Sequence, residues 1–226
     1  MATLPDMRWV IQENRAFLRR VVQFLAARGI DQFIDLGSGI PTVGNVHEVA
    51  QALNPAARVV YVDHDPVAVA HSRAILQGNA STAVYAGDLS RPEVVLGDPA
   101  VARLIDIRKP VGLLLIAVLH FVPDDSVAAA VVSDWCKVLP AGSYVALTHA
   151  SADQMSDQAT TTEKLYNRTV AAMAMRSHDE VLTLFGDLTP VEPGVVPIPL
   201  WRPDSPDDLS PNAERYPGYA GLAPIE

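Results

Sequence analysis

Four apolar segments of this chain each run into residues able to bind a ligand or move a proton. Phe33-Ile34-Asp35-Leu36-Gly37-Ser38-Gly39 closes on an Asp-x-Gly-x-Gly loop, Val59 to Val62 runs into Asp63 and His64, Ala83 to Gly87 into Asp88 and Leu89, and Val111 to Val118 into Leu119-His120. Gly37 and Gly39 reach backbone conformations closed to other residues, and their missing side chains let a ligand lie against the main chain. Carboxylates at 63 and 88 accept hydrogen bonds from hydroxyl or amino groups. His120 is the first candidate proton acceptor, because an unperturbed imidazole titrates near neutrality, and His149 is the second.

Each of these residues also has a plainer reading. Asp63 and Asp88 could cap the turns at Asp65-Pro66 and Leu89-Ser90-Arg91-Pro92, His64 could be a loop residue, and His120 could be a packed ring that shapes a pocket. The agreement between strand ends favours ligand binding for Asp63. Metal binding is not expected, since the histidines are scattered and no pair has zinc-motif spacing. Cys136, beside Trp135 in a helical apolar pattern, reads as core.

The elements that must position these groups follow from periodicity. Phe17, Leu18, Val21, Val22, Phe24 and Leu25 recur at helical spacing, and Gly29 ends that helix. Strand one is read at Gln32 to Leu36. A helix from Val46 to Leu53 follows, opened by an Asn45/Glu48 capping box and stopped by Asn54-Pro55. Strand two, a helix over Pro66 to Gln77 and strand three repeat the alternation, the pattern of a parallel sheet with crossover helices. Val111 to Val118, the most apolar strand, is placed centrally. Asp124 to Leu139 is read as a helix, Ser143 to Thr148 as strand five, and Glu163 to Met175 as a cap or substrate helix. The proline-rich end predicts short or edge strands, an exposed loop over Asp204 to Arg215 and a last, reversed strand at Tyr219 to Ile225. The fold class is thus α/β, Rossmann-like, with helices on both faces of a mostly parallel sheet. A single domain over 1–226 is expected, with the ligand-binding core at about 30–150 and the cap and C-terminal strands at about 151–226.

The chain has 226 residues, 49% hydrophobic and 19% charged, which suits a substantial core. A formal charge of −9 repels phosphate backbones and anionic membranes, so a small-molecule partner is favoured over nucleic acid. The single cysteine cannot form an internal disulfide, and the start lacks the regions of a secretory signal. The longest apolar run, Val111 to Val122, is too short to span a bilayer. A cytoplasmic protein is expected.

Asp63 falls about where a ribose-binding carboxylate stands in dinucleotide folds, yet Thr42 occupies the position where the dinucleotide loop G-x-G-x-x-G/A has glycine or alanine. Asp88 and the amide of Leu89 suit an adenine edge. The set of glycine loop, ribose acid and adenine acid resembles the class I S-adenosylmethionine-dependent methyltransferases. Leu119-His120-Phe121-Val122-Pro123-Asp124-Asp125 is similar to their fourth-strand motif, and Leu139-Pro140-Ala141-Gly142-Ser143-Tyr144 to the turn before their fifth strand. Pro41-Thr42-Val43-Gly44-Asn45-Val46-His47-Glu48, Glu13-Asn14-Arg15-Ala16-Phe17-Leu18, Tyr61 to Pro66 and Val191-Glu192-Pro193-Gly194-Val195-Val196 narrow the resemblance to the actinomycete S-adenosyl methyltransferase family, whose substrates are largely unassigned.

The resemblance implies S-adenosyl-L-methionine as cofactor, contacted by Asp35, Gly37, Ser38, Gly39, Asp63, His64, Asp88, Leu89 and Ala117. It implies methyl transfer to a small-molecule acceptor, with a homodimer allowed. Members of that family usually carry a further N-terminal segment with a Gly-Gly-Lys-Asp run that this sequence does not contain; if that segment closes over the cofactor, weaker binding follows. One alternative is therefore a cofactor-binding sensor or scaffold without chemistry; a further one, resting on the shared strand-loop-helix and opposed by Thr42, is an NAD(P)-dependent oxidoreductase. Arg168 and Arg176 could meet an anionic substrate group or form surface ion pairs.

Overall fold

The computed structural model describes residues 7–40, 44–153, 173–205 and 209–226. Helix α1 (Met7–Ala26) leads into β1 (Gln32–Leu36), and Gly29 makes the turn between them at φ +85°. Then come α2 (Val46–Leu53), β2 (Arg58–Asp63), α3 (Pro66–Ile75) and β3 (Thr82–Ala86). Two short helices, α4 (Pro92–Gly97) and α5 (Pro99–Leu104), precede β4 (Gly112–Leu115), α6 (Asp125–Val138) and β5 (Tyr144–Ala150). After α7 (His178–Thr183), β6 (Val196–Pro197) and β7 (Gly218–Pro224) complete one sheet in the order β3-β2-β1-β4-β5-β7-β6. The first five strands are parallel, and β7 runs antiparallel to both β5 and β6.

Alternation along the strands assigns the two apolar layers. Ile34, Leu36, Val60, Val62, Leu113 and Leu115 pack with Val101, Val131, Trp135 and Phe185 on one face. Phe33, Val59, Tyr61 and Leu114 pack with Phe17, Val21, Leu25, Val46 and Trp201 on the other. Both faces are covered, as a parallel sheet requires. Asp35 shares the face of Phe33, so the β1 pleat aims a carboxyl toward α1. The chain order reverses between β1 and β4, which lie side by side, and the ends of these strands open the crevice where such sheets bind ligands.

Local signals explain most element ends. Asn45 and Glu48 form the expected capping box, Asp65 caps α3 ahead of Pro66, and Asp124 accepts from the amides of Ser126 and Val127 at the start of α6. The α4 and α5 helices go beyond the sequence reading; each is six residues long, too short for a visible period. The fourth strand is shorter than predicted. It stops at Leu115, and the chain turns through Ala117, at φ +56°, into a 3-10 turn over Leu119–Phe121. The predicted helix at Glu163 to Met175 lies mainly outside the described residues, and 173–175 are not helical. Within the expected Asp204–Arg215 loop, Ala213 is buried in a 3-10 turn. No helix among the described residues is long and apolar enough to cross a membrane.

Candidate active site

A cavity of about 470 Å³ lies over the ends of β1, β4 and β5, walled by the first half of α1 and by Ile198, Tyr216 and Pro217. Its size is in the range of small-molecule sites. Asp35, Gly37, Ser38, Gly39, Ala117, His120 and His149 all line it. Asp63 stands directly behind: its Oδ2 accepts from the Gly39 amide at 2.7 Å and its Oδ1 from the Asp65 amide at 2.9 Å. The carboxylate therefore shapes the glycine loop, and each of its oxygens retains a further lone pair. The Gly37 and Ser38 amides also donate to the Val62 carbonyl at 2.8 and 3.2 Å.

Backbone geometry makes Gly37 irreplaceable here. At φ +66°, any Cβ would come within 2.1 Å of Val118 Cγ2. Ala117 at φ +56° is held beside it by a bond from its amide to Thr148 Oγ1 at 2.8 Å. A non-glycine residue in that region is strain, of the kind that gathers at functional sites. His64, Asp88 and Leu89 do not line the cavity. His64 is exposed, 3.8 Å from the Asp63 carboxylate. Asp88 is exposed and caps its own turn, accepting from the Ser90 amide at 2.8 Å, a bond that with the Ser90 hydroxyl holds its carboxyl below the usual range despite partial burial. The Leu89 carbonyl accepts from Trp135 Nε1 at 2.7 Å.

Several residues that build the site carry little sign of it in the sequence. Asn14, on α1, donates to Tyr216 Oη and the Val10 carbonyl, and accepts from Thr148 Oγ1 at 2.7 Å. One amide thereby ties α1, β5 and the chain before β7 together; its only sequence signal was the Glu13-Asn14-Arg15 motif. Arg176 is not on the surface. Its guanidinium is 2% exposed and donates to the Leu119 and Val122 carbonyls, to Asp125 and to His149 Nε2 at 2.6 Å. His149 Nδ1 in turn lies 2.8 Å from the Ala150 carbonyl, so this ring is a neutral Nδ1–H tautomer with both nitrogens engaged. It could take a proton on Nε2 only by giving up the Arg176 bond. His120 differs: its Nδ1 is enclosed and has no hydrogen-bond partner among the described residues, and the same holds for the hydroxyl of Ser38, another lining residue.

Burial, aided by the charges of His149 and Arg176, pushes His120 down to about 3. Burial also lowers His149 to about 4, with the Ala150 bond acting upward and Arg176 downward. Asp35 is raised to about 7 by burial, against Arg15 and with Asp63. An unfolded histidine takes its proton at about 6.5 and an unfolded aspartate loses its own at about 3.9. Between about pH 4 and 6.5 the two histidines bind more protons unfolded and Asp35 binds more folded, so across the three the unfolded chain gains one proton. Stability is then complete near neutrality and falls on acidification through this window. The melting temperature at pH 5 should lie below that at pH 7, with a shallower slope in His120→Asn; calorimetry showing equal values for the wild type would contradict the burial of neutral rings.

The description of the matching family model, which covers residues 1–226, is S-adenosyl methyltransferase. A Thermobifida fusca YX protein described as a methyltransferase is 40% identical over 99% of this chain and 84% of its own, with a TM-score of 0.89. This chain belongs to the S-adenosyl methyltransferase family. A DUF574 family protein of Streptomyces avermitilis MA-4680 is 34% identical over 95% of this chain and 83% of its own, with a TM-score of 0.88. The N-methyltransferase NodS of Bradyrhizobium japonicum WM9, at 12% identity, shares the fold, with 92% and 93% of the two chains covered and a TM-score of 0.53. No curated protein matches.

The methyltransferase thus uses S-adenosylmethionine, and nothing supports the oxidoreductase or non-catalytic readings. The residues present fit that cofactor: Gly37 and Gly39 form a cradle that side chains would fill, Ser38 Oγ is a buried group in need of a partner, and Asp63 has unused acceptor capacity.

Proposed function

We propose that this enzyme methylates a hydroxyl or amine of a small molecule, with His120 receiving the acceptor's proton. The observation that carries this reading is the His120 ring, which lines the same cavity as the glycine cradle and has no hydrogen-bond partner among the described residues. When bound, S-adenosylmethionine supplies a methyl group on positively charged sulfur, open to displacement by a nucleophile. The protein's part is to align the acceptor, keep water away and accept a proton. Burial keeps the His120 ring neutral across the physiological range, so it meets the acceptor's O–H or N–H as a hydrogen-bond acceptor; the same burial disfavours the protonated ring, so the proton passes on to solvent rather than staying there.

In this reading, Asp63 holds the ribose hydroxyls, Gly37, Ser38, Gly39, Asp35 and Ala117 border the cofactor, and Asp88, Leu89 and His64 receive its adenine end beyond β2 and β3. Residues of about 30–150 carry the cofactor, and later ones complete the acceptor side. The acidic charge and single cysteine support a cytoplasmic setting. Asp63→Ala removes both a ligand contact and the clamp on the Gly39 amide. A charge-assisted hydrogen bond is worth about 1.5–3 kcal/mol, so affinity for S-adenosylhomocysteine should fall roughly tenfold to a hundredfold. Unchanged affinity by calorimetry would take Asp63 out of the site.

A further inference from the structure

The acceptor end of the cavity has an unusual polar inventory. Its walls are apolar, with Met7, Val10, Ile11, Phe121, Ile198 and Pro217 facing the space. Four polar side chains also line it, and each is already engaged inside the protein. Both donors and the oxygen of Asn14 are in use. Thr148 Oγ1 donates to Asn14 and accepts from the Ala117 amide. Tyr216 Oη donates to the Val10 carbonyl and accepts from Asn14, and His149 has both ring nitrogens occupied. The charged lining residues among those described are Arg15 and Asp35. Both belong to the cofactor end, since Arg15 reaches Asn45 at the start of α2 and Asp35 leads into the glycine loop.

What remains for an acceptor among the described residues is a mostly apolar surface with one open polar group, the His120 ring, whose enclosed Nδ1 leaves Nε2 as the nitrogen that can meet a ligand. An ionised group placed there would lose its water and find no counter-charge among the described residues of this end, while a second neutral group would find no free donor there and only the spare lone pairs of oxygens already bonded to one another. We propose that the acceptor is an uncharged, largely apolar molecule that presents a single hydroxyl or N–H to His120. Selectivity then arises from penalty rather than attraction, because polar competitors are turned away by desolvation. This inference rests on the cofactor reading above.

The test uses the full chain saturated with S-adenosylhomocysteine, with three bicyclic probes of similar shape followed by calorimetry or probe fluorescence. 2-Naphthol carries one hydroxyl, 6-hydroxy-2-naphthoate adds an anionic group, and 2-methylnaphthalene lacks the hydroxyl. 2-Naphthol should bind about tenfold or more tightly than the carboxylate and several-fold more tightly than the methyl compound. His120→Leu should erase the second difference while keeping affinity for S-adenosylhomocysteine. Equal or tighter binding of the carboxylate, no binding of 2-naphthol, or a hydroxyl preference that survives His120→Leu overturns the proposal. The two wild-type comparisons decide it even if the variant does not fold. Failure to bind S-adenosylhomocysteine in the first titration would instead bring down the cofactor reading, and this inference with it.

Discussion

Arg176→Met is expected to lower the melting temperature by roughly 6–12 °C, from a stability loss of about 3 kcal/mol. The loss does not come from the ion pair itself, because Asp125 is 75% exposed and its charge returns to water. It comes from the Val122 carbonyl and His149 Nε2, which would be left without a donor, and from the Leu119 carbonyl, which would keep only the Val122 amide. Each such group costs about 1–3 kcal/mol when stranded, partly offset by no longer burying a guanidinium. Arg176→Lys should recover little, since one ammonium cannot reach this fan of acceptors. Removal of the neighbouring cation should also move His149 upward from about 4, as read by its ring resonances. A melting temperature that does not move would show that the guanidinium is not holding the turn that carries His120.

Gly37→Ala should damage both stability and cofactor binding. The added carbon would sit 2.1 Å from Val118 Cγ2 and 2.8 Å from its Cβ, in a backbone conformation that itself disfavours side chains. The left-handed conformation costs about 1–2 kcal/mol and the forced repacking about 1–3 kcal/mol, so a loss of roughly 2–5 kcal/mol is expected. Affinity for S-adenosylhomocysteine should fall by more than about tenfold, because the loop cannot shift without breaking the bonds to Val62 and Asp63. Adding Val118→Ala should restore part of both. Gly39→Ala is the control: at φ +62° it bears the conformational cost, but no atom lies within 4 Å of its Cβ. Equal damage at the two positions would refute the steric argument.

Both variants show where sequence reading stops. Apolar runs and capping residues located β1, α2, β2 and α6 closely, because burial on both faces and Asn45, Asp65 or Asp124 at helix starts leave local traces. Glycines 37 and 39 were legible for the same reason. The contact between Gly37 and Val118 was not, since it joins the ends of two strands that become neighbours only when the chain order reverses. Arg176 looked like a surface or substrate cation because an arginine carries no local sign of burial; its partners come from 51 to 57 residues away along the chain, apart from His149 at 27. The saturation of Asn14, Thr148 and Tyr216 depends on three distant segments meeting at one amide, a property no periodicity encodes.

The backbone around Arg176 ties the two histidine-bearing segments together. The Arg176 amide donates to the Ala150 carbonyl at 3.1 Å, and the Ala174 amide to the His120 carbonyl at 2.8 Å. The return leg at 174–176 is therefore fastened at once to the strand end that follows His149 and to the turn that carries His120. The two imidazoles keep a set spacing through backbone bonds that no side-chain substitution removes.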